Sequence, residues 1–150
     1  PGTVADNIAY GTADATDAQV QAAVERIGAL GVIGTIPGGF NARVGERGRG
    51  LSSGQRQIIA LARAEMLTPA VLLLDEATAT LDPATERAVL DASDRAMEGR
   101  TSVVVAHRLA TAARADRILV IDEGRIIEDG CHEDLISAGG RYAHMWAVNR

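Results

Sequence analysis

The sequence predicts an α/β fold. Two short apolar runs, residues 71–74 and 101–106, are rich in leucine or β-branched residues and are followed by polar groups, the pattern of strands buried on both faces. Before and between them lie stretches whose apolar residues recur at helical spacing. Helices alternating with buried strands build a sheet of mainly parallel character.

Each element has a local cause. Thr16-Asp17-Ala18-Gln19 is a capping box, in which a hydroxyl and an amide side chain satisfy free backbone groups reciprocally. Val20, Ala23, Val24, Ile27 and Leu30 then follow one helical face. Residues 38–50 are rich in glycine and charge and read as loop. Ser52-Ser53-Gly54-Gln55 is a second capping box, opening a helix that should run to about Leu67 and stop before Pro69. The strand at 71–74 ends in Asp75-Glu76, and a helix over 83–97 starts with Pro83 in its first turn. After the strand at 101–106 come shorter strands at 117–121 and 125–128, divided by a turn at Asp122-Glu123-Gly124. Short helices over 133–138 and 142–148 flank Gly139-Gly140. The expected organisation is a helical part over residues 1–67 and a sheet-bearing part over 68–150, without repeats or low-complexity tracts.

Composition narrows the function. The 150 residues are 47% hydrophobic, enough for a core, and carry a net charge of −5. That acidic balance speaks against a nucleic-acid binder, which presents a basic face. The single cysteine, Cys131, excludes an internal disulfide and a zinc site built on cysteines. Neither apolar run is long enough to cross a bilayer, and no secretory signal opens the chain. All fifteen basic residues are arginine. A phosphate-binding loop of the form GxxxxGK[ST] needs its lysine, so this chain contains none.

Three segments carry chemistry. A capped helix start with glycine beside the cap, as at residues 51–57, leaves amides open at the positive end of the helix dipole, where an anion can dock. Asp75 and Glu76 stand at the end of a buried strand, facing the crevice in which α/β sheets bind ligands. The first acid can hold magnesium, which keeps part of its water shell, and the second can deprotonate an attacking water. His107 follows the next strand and can reach a phosphate there. Taken singly, each is equally an ordinary helix start, a solvated strand end or a capping histidine.

Taken together they resemble the ATP-binding-cassette (ABC) ATPases. Leu51-Ser52-Ser53-Gly54-Gln55-Arg56-Gln57 looks like the ABC signature, and Val71 to Glu76 like the Walker B strand with its catalytic glutamate. Ala79-Thr80-Leu81-Asp82 resembles the D-loop and His107 the switch histidine. Order and spacing match over nearly the whole chain. Pro1-Gly2-Thr3-Val4-Ala5-Asp6-Asn7-Ile8, Val44-Gly45-Glu46-Arg47-Gly48 and Gly140-Arg141-Tyr142 are similar to exporter-type cassettes, in which each membrane domain is fused to its own cassette. Departures are Ser53 in place of the usual signature glycine, Ile58 where arginine is common, Arg43 where glutamate often stands, and a D-loop reading Ala-Thr-Leu-Asp.

The resemblance implies a partial P-loop NTPase (RecA-like) ABC ATPase core with its α-helical signature subdomain. The adenine-stacking loop, P-loop and Q-loop are expected upstream of Pro1. In the family two cassettes sandwich two ATP molecules. By this resemblance Asp75 would hold Mg²⁺ through water, Glu76 would activate the hydrolytic water, and His107 would contact the γ-phosphate. Ser52, Ser53, Gly54 and Gln55 would face the partner cassette's ATP, and Asp82 would link the two sites. The implied partners are a second nucleotide-binding domain and the transporter's membrane domain at the cytoplasmic face of the cell membrane, with no nucleic acid. The chain alone is expected to be inactive. The alternatives are a degenerate cassette that holds ATP without hydrolysing it, and a soluble ABC ATPase outside transport. The resemblance also places an upstream strand between 101–106 and 117–121, so these two are expected to pair directly or with a second copy.

Overall fold

The computed structural model describes residues 2–75 and 81–148. Glu76, Ala79 and Thr80, with the expectations attached to them, lie outside the described residues. The elements run in the order β1 (Gly2–Thr3), α1 (Val4–Ala9), α2 (Asp17–Arg26), α3 (Leu30–Gly34), β2 (Arg43–Val44), α4 (Ser53–Leu67), β3 (Val71–Asp75), α5 (Pro83–Met97), β4 (Thr101–Val105), α6 (Leu109–Ala112), β5 (Ile118–Asp122), β6 (Arg125–Gly130), α7 (His132–Ala138) and α8 (Arg141–Val148). They form two compact units, Pro1–Leu72 with Thr78–Val103, and Leu73–Ala77 with Val104–Arg150.

The first unit is a helical assembly around α4. Its start is fixed by the Ser52–Gln55 capping box and its end by Thr68, whose left-handed backbone (φ 43°) precedes Pro69. Ile58, Ile59, Leu61 and Ala62 face inward along α4, against Val4 and Ile8 of α1 and Val20, Ala23 and Val24 of α2. On α5, Ala92 and Ala96 are both fully buried one helical turn apart, and α5 packs on α4. The helix predicted from Thr16 onward is interrupted. Gly28 takes a left-handed conformation (φ 70°) that few other residues adopt, ending α2 and letting Leu30 begin α3. The predicted loop at 38–50 is largely loop, but Arg43 and Val44 pair antiparallel with Thr3 and Gly2. α1 carries a capping box of its own, Thr3 with Asp6.

The strands depart from expectation in two ways. Residues 71–74 and 101–106 were expected to be covered on both faces, yet Val71, Leu73, Val103 and Val105 are at least half exposed while Leu72 is buried. Side chains alternate across a strand, and in the two-stranded β3–β4 ladder only one face of β3 is covered among the described residues. The second departure is the partner of β5. It pairs with β6, and β4 lies in a different ladder, so the direct pairing of 101–106 with 117–121 does not occur. A hairpin closes the shortest loop and costs the least chain entropy. Here Glu123 (φ 47°) and Gly124 (φ 74°) give two consecutive left-handed residues between Asp122 and Arg125, the turn that matches strand twist. The β1–β2 and β5–β6 ladders are both antiparallel.

In the second unit, Ile118 and Val120 of β5 bury one strand face against Leu135 of α7 and Tyr142 of α8, with Leu109 and Ala112 of α6 alongside. The N-terminus of α8 is tied to β6 by Glu128, whose carboxylate accepts from the amides of Arg141 (2.5 Å) and Tyr142 (2.9 Å). That places an anion where a helix end is most positive.

Candidate functional site

The signature-like segment forms the first turn of α4. The Ser52 hydroxyl accepts from the Gln55 amide (3.2 Å), and Gln55 Oε1 accepts from the Ser52 amide (2.9 Å). Gln55 Nε2 donates to Thr35 Oγ1 at 3.2 Å, which fixes the far end of the same side chain. A hydroxyl that accepts one bond still has its own proton to donate, so the Ser52 cap is compatible with an anion docked on the same turn. Ser53 is partly exposed and Gly54 is buried. A side chain at position 54 would fall on the γ-methyl of Thr85 in α5.

Asp82 is the N-cap of α5. Its Oδ1 accepts from the amides of Ala84 (3.2 Å) and Thr85 (3.0 Å). Hydrogen bonds from the Thr85 side chain and then its backbone hold the Asp82 carboxyl below the usual carboxylate range. It is therefore an anion across the physiological range.

Asp75 and His107 meet at the carboxyl ends of β3 and β4. His107 Nε2 lies 3.5 Å from Asp75 Oδ1, with 54% and 74% of the two side chains exposed. Thirty-two positions apart in the chain, the two are brought together because β3 and β4 are ladder neighbours. Asp75 offers a hard, solvated carboxylate, which suits a magnesium ion that keeps most of its waters. The imidazole beside it is a hydrogen-bond partner suited to a phosphate oxygen rather than a magnesium ligand.

A cleft of about 290 Å³ opens in the first unit beside the loop that precedes α4, lined by Asn7, Val44, Arg47, Leu51, Arg56 and Arg63. Arg63 Nε donates to the Asn7 carbonyl (2.7 Å), and its guanidinium lies 5.4 Å from the centre of the exposed Tyr10 ring. Sequence reading did not single out Arg63, Tyr10 or Thr85, because their partners are distant in sequence or on another element. Among the described residues, no helix is long and apolar enough to cross a membrane.

The family model for ABC transporters matches residues 1–79. The chain is 50% identical over 148 residues to a multidrug efflux ATP-binding/permease protein of Mycobacterium bovis, covering 99% of this chain and 12% of that protein. It is 46% identical over 148 residues to the human ATP-binding cassette sub-family B member 6, covering 99% of this chain and 18% of that one. Among solved structures, a bacterial Atm1-family ABC exporter with ATP bound matches with a TM-score of 0.85 and 43% identity, over 99% of this chain and 26% of that chain. The chain therefore belongs to the ABC transporter family and is a part of its exporter-type nucleotide-binding module. It spans only 12% and 18% of the length of the two curated relatives.

Proposed function

We propose that this chain is the portion of an exporter's ATP-hydrolysing cassette that supplies the catalytic carboxylates and the signature turn. The observation that carries the reading is the meeting of Asp75 and His107 at the ends of paired strands, 3.5 Å apart. In this reading Asp75 would hold Mg²⁺ through water, and the bound ion would supply charge neutralisation at the phosphates. Glu76, next in the chain, takes the proton of the attacking water. His107 donates to the γ-phosphate oxygen, with its orientation set by Asp75. These three serve the nucleotide bound to their own cassette.

The other face of the nucleotide sandwich is served by a second cassette, homologous or identical. Ser52, Ser53, Gly54 and Gln55 present the first turn of α4, where a dipole and open amides favour a phosphate. Asp82 keeps its charge and links this turn to the partner's site. The arginine-lined cleft beside the pre-signature loop is the seat of the membrane domain, on the cytoplasmic face of the membrane. With no lysine for a phosphate loop, the chain alone neither binds ATP tightly nor hydrolyses it; calorimetry showing micromolar ATP affinity for the chain alone would contradict this.

The test of the whole reading is Glu76→Gln in the full-length transporter. Glutamine keeps the shape but cannot accept the proton, and general-base removal costs roughly 10²–10⁴-fold in rate. The expected outcome is retained ATP binding with turnover lowered on that scale. Turnover near the wild-type rate would remove Glu76 from its role and favour the degenerate, non-hydrolysing alternative. The acidic balance of the chain and its exporter relatives speak against a soluble ABC ATPase acting on nucleic acid.

A further inference from the structure

Gly54 lies inside the first turn of α4, where alanine would favour the helix more than glycine does. Its backbone is not left-handed, so conformational freedom does not explain the residue. Space does. A Cβ at position 54 would collide with the γ-methyl of Thr85 and would come within 3.4 Å of Leu81 Cδ2. Thr85 stands in the first turn of α5, and its amide donates to Asp82 Oδ1 at 3.0 Å. Its side chain helps hold the same carboxylate below the usual range. A β-branched side chain has few rotamers, so the methyl cannot turn away from Gly54 without the whole first turn of α5 adjusting.

We propose that Thr85 is a positioning residue that locks the signature turn to the D-loop aspartate within one cassette. Its methyl fills the space that Gly54 leaves, and its amide holds Asp82, so the starts of α4 and α5 are set as one piece. The proposal rests on the reading of both segments as nucleotide-facing. It gives position 54 a requirement for glycine that is separate from any approach of a phosphate.

The two requirements come apart in a double-mutant cycle on the full-length transporter, with ATP turnover and thermal unfolding both measured. Gly54→Ala should lower kcat by about tenfold and also lower the unfolding temperature, since contacting residues couple on that scale. Adding Thr85→Ser removes the obstructing methyl and keeps the hydroxyl. The double variant should recover most of both losses. Thr85→Val keeps the methyl and loses the hydroxyl; it should unfold near the wild-type temperature yet show a reduced kcat with little change in the KM for ATP. A merely structural Thr85 would leave kcat unmoved in that variant. If Gly54→Ala is inactive, unfolds normally and is not rescued by Thr85→Ser, the proposal is overturned while the nucleotide-facing reading stands. If Glu76→Gln leaves turnover unchanged, the catalytic reading fails, and the unfolding temperatures still decide whether Thr85 and Gly54 are coupled.

Discussion

In the helical unit Glu65 of α4 keeps 9% of its side chain exposed while accepting from Arg26 Nε and Arg100 Nη2, each at 2.8 Å. In the other unit Arg117 and Asp129 form a two-point pair, at 2.7 and 2.6 Å, with 70% and 43% of their side chains exposed. The geometry is equally good in both, but the surroundings differ. A charge taken out of water depends on its partners, because nothing else compensates its lost hydration. A charge left in water exchanges one solvated state for another and gains little. Glu65 therefore ties α2, α4 and the segment before β4 into one body. The Arg117–Asp129 pair only trims the exposed side of a hairpin whose register the turn and the buried Ile118 and Val120 already fix.

The sharpest way to break this contrast is Glu65→Ala. It leaves Arg100, whose side chain is 15% exposed, without its carboxylate, and loss of one partner from a buried pair costs about 3–5 kcal/mol. Because Arg26 is half exposed and can return to water, the lower end, roughly 3 kcal/mol, is expected. Denaturant unfolding of the chain followed by circular dichroism measures it. A loss below about 1 kcal/mol would put Glu65 in the same class as an exposed pair.

Next in size is Tyr142→Phe in the second unit. The phenol is buried, its pKa is pushed up by that burial, and its oxygen lies 2.8 Å from His132 Nδ1. Trp146 packs edge-on against the same imidazole, with ring centres 4.6 Å apart. Removing the hydroxyl deletes one hydrogen bond and leaves the imidazole nitrogen facing a ring, for a loss of about 1.5 kcal/mol. Near-ultraviolet circular dichroism of Trp146 follows the same change. Ser52→Ala is the smaller test on the helical side. It removes the side-chain cap from α4, a change worth about 1 kcal/mol, and should lower the unfolding free energy by that amount without altering the antiparallel hairpin's signals.

What could be read in the sequence divides along the same line of local against distant causes. The Thr16–Gln19 and Ser52–Gln55 capping boxes were legible because both partners of each lie within four residues. The stop at Thr68 was legible from Pro69. Asp75 and His107 were assigned by likeness to a family, and the β3–β4 ladder supplies the physical reason that they meet. The Thr3–Asp6 box was equally local but was hidden in a stretch read simply as helical. Glu65 was not legible. Arg26 lies 39 residues before it and Arg100 lies 35 after, and no local pattern marks a carboxylate on an otherwise apolar helix face as paired. Exposure of Val71, Leu73, Val103 and Val105 was also beyond reach, since an apolar run states what a strand prefers to face and not whether a covering layer is at hand.

The smallest expected effect, and the one that isolates charge from shape, belongs to Asp129→Asn. Arg117 holds the Asp129 carboxyl below its ordinary value of 3.8, through their hydrogen bonds first and their charges second. A carboxylate whose folded pKa is depressed stabilises the fold above its unfolded value and loses that contribution as pH falls through the folded value. At pH 7 the variant should unfold at a slightly lower temperature than the wild type. The gap should hold down to about pH 4 and then close as acid protonates the wild-type carboxyl. Because both side chains are largely in water, raising the salt concentration at pH 7 should narrow the gap as well. Asparagine retains an oxygen that can accept from Arg117, so a gap that stays constant from pH 7 to pH 3 and is indifferent to salt would show that the carboxylate's charge is not its source. Glu65→Ala measured at the same two salt concentrations should respond less, since Glu65 and Arg100 are largely withdrawn from screening ions and only Arg26 is half exposed.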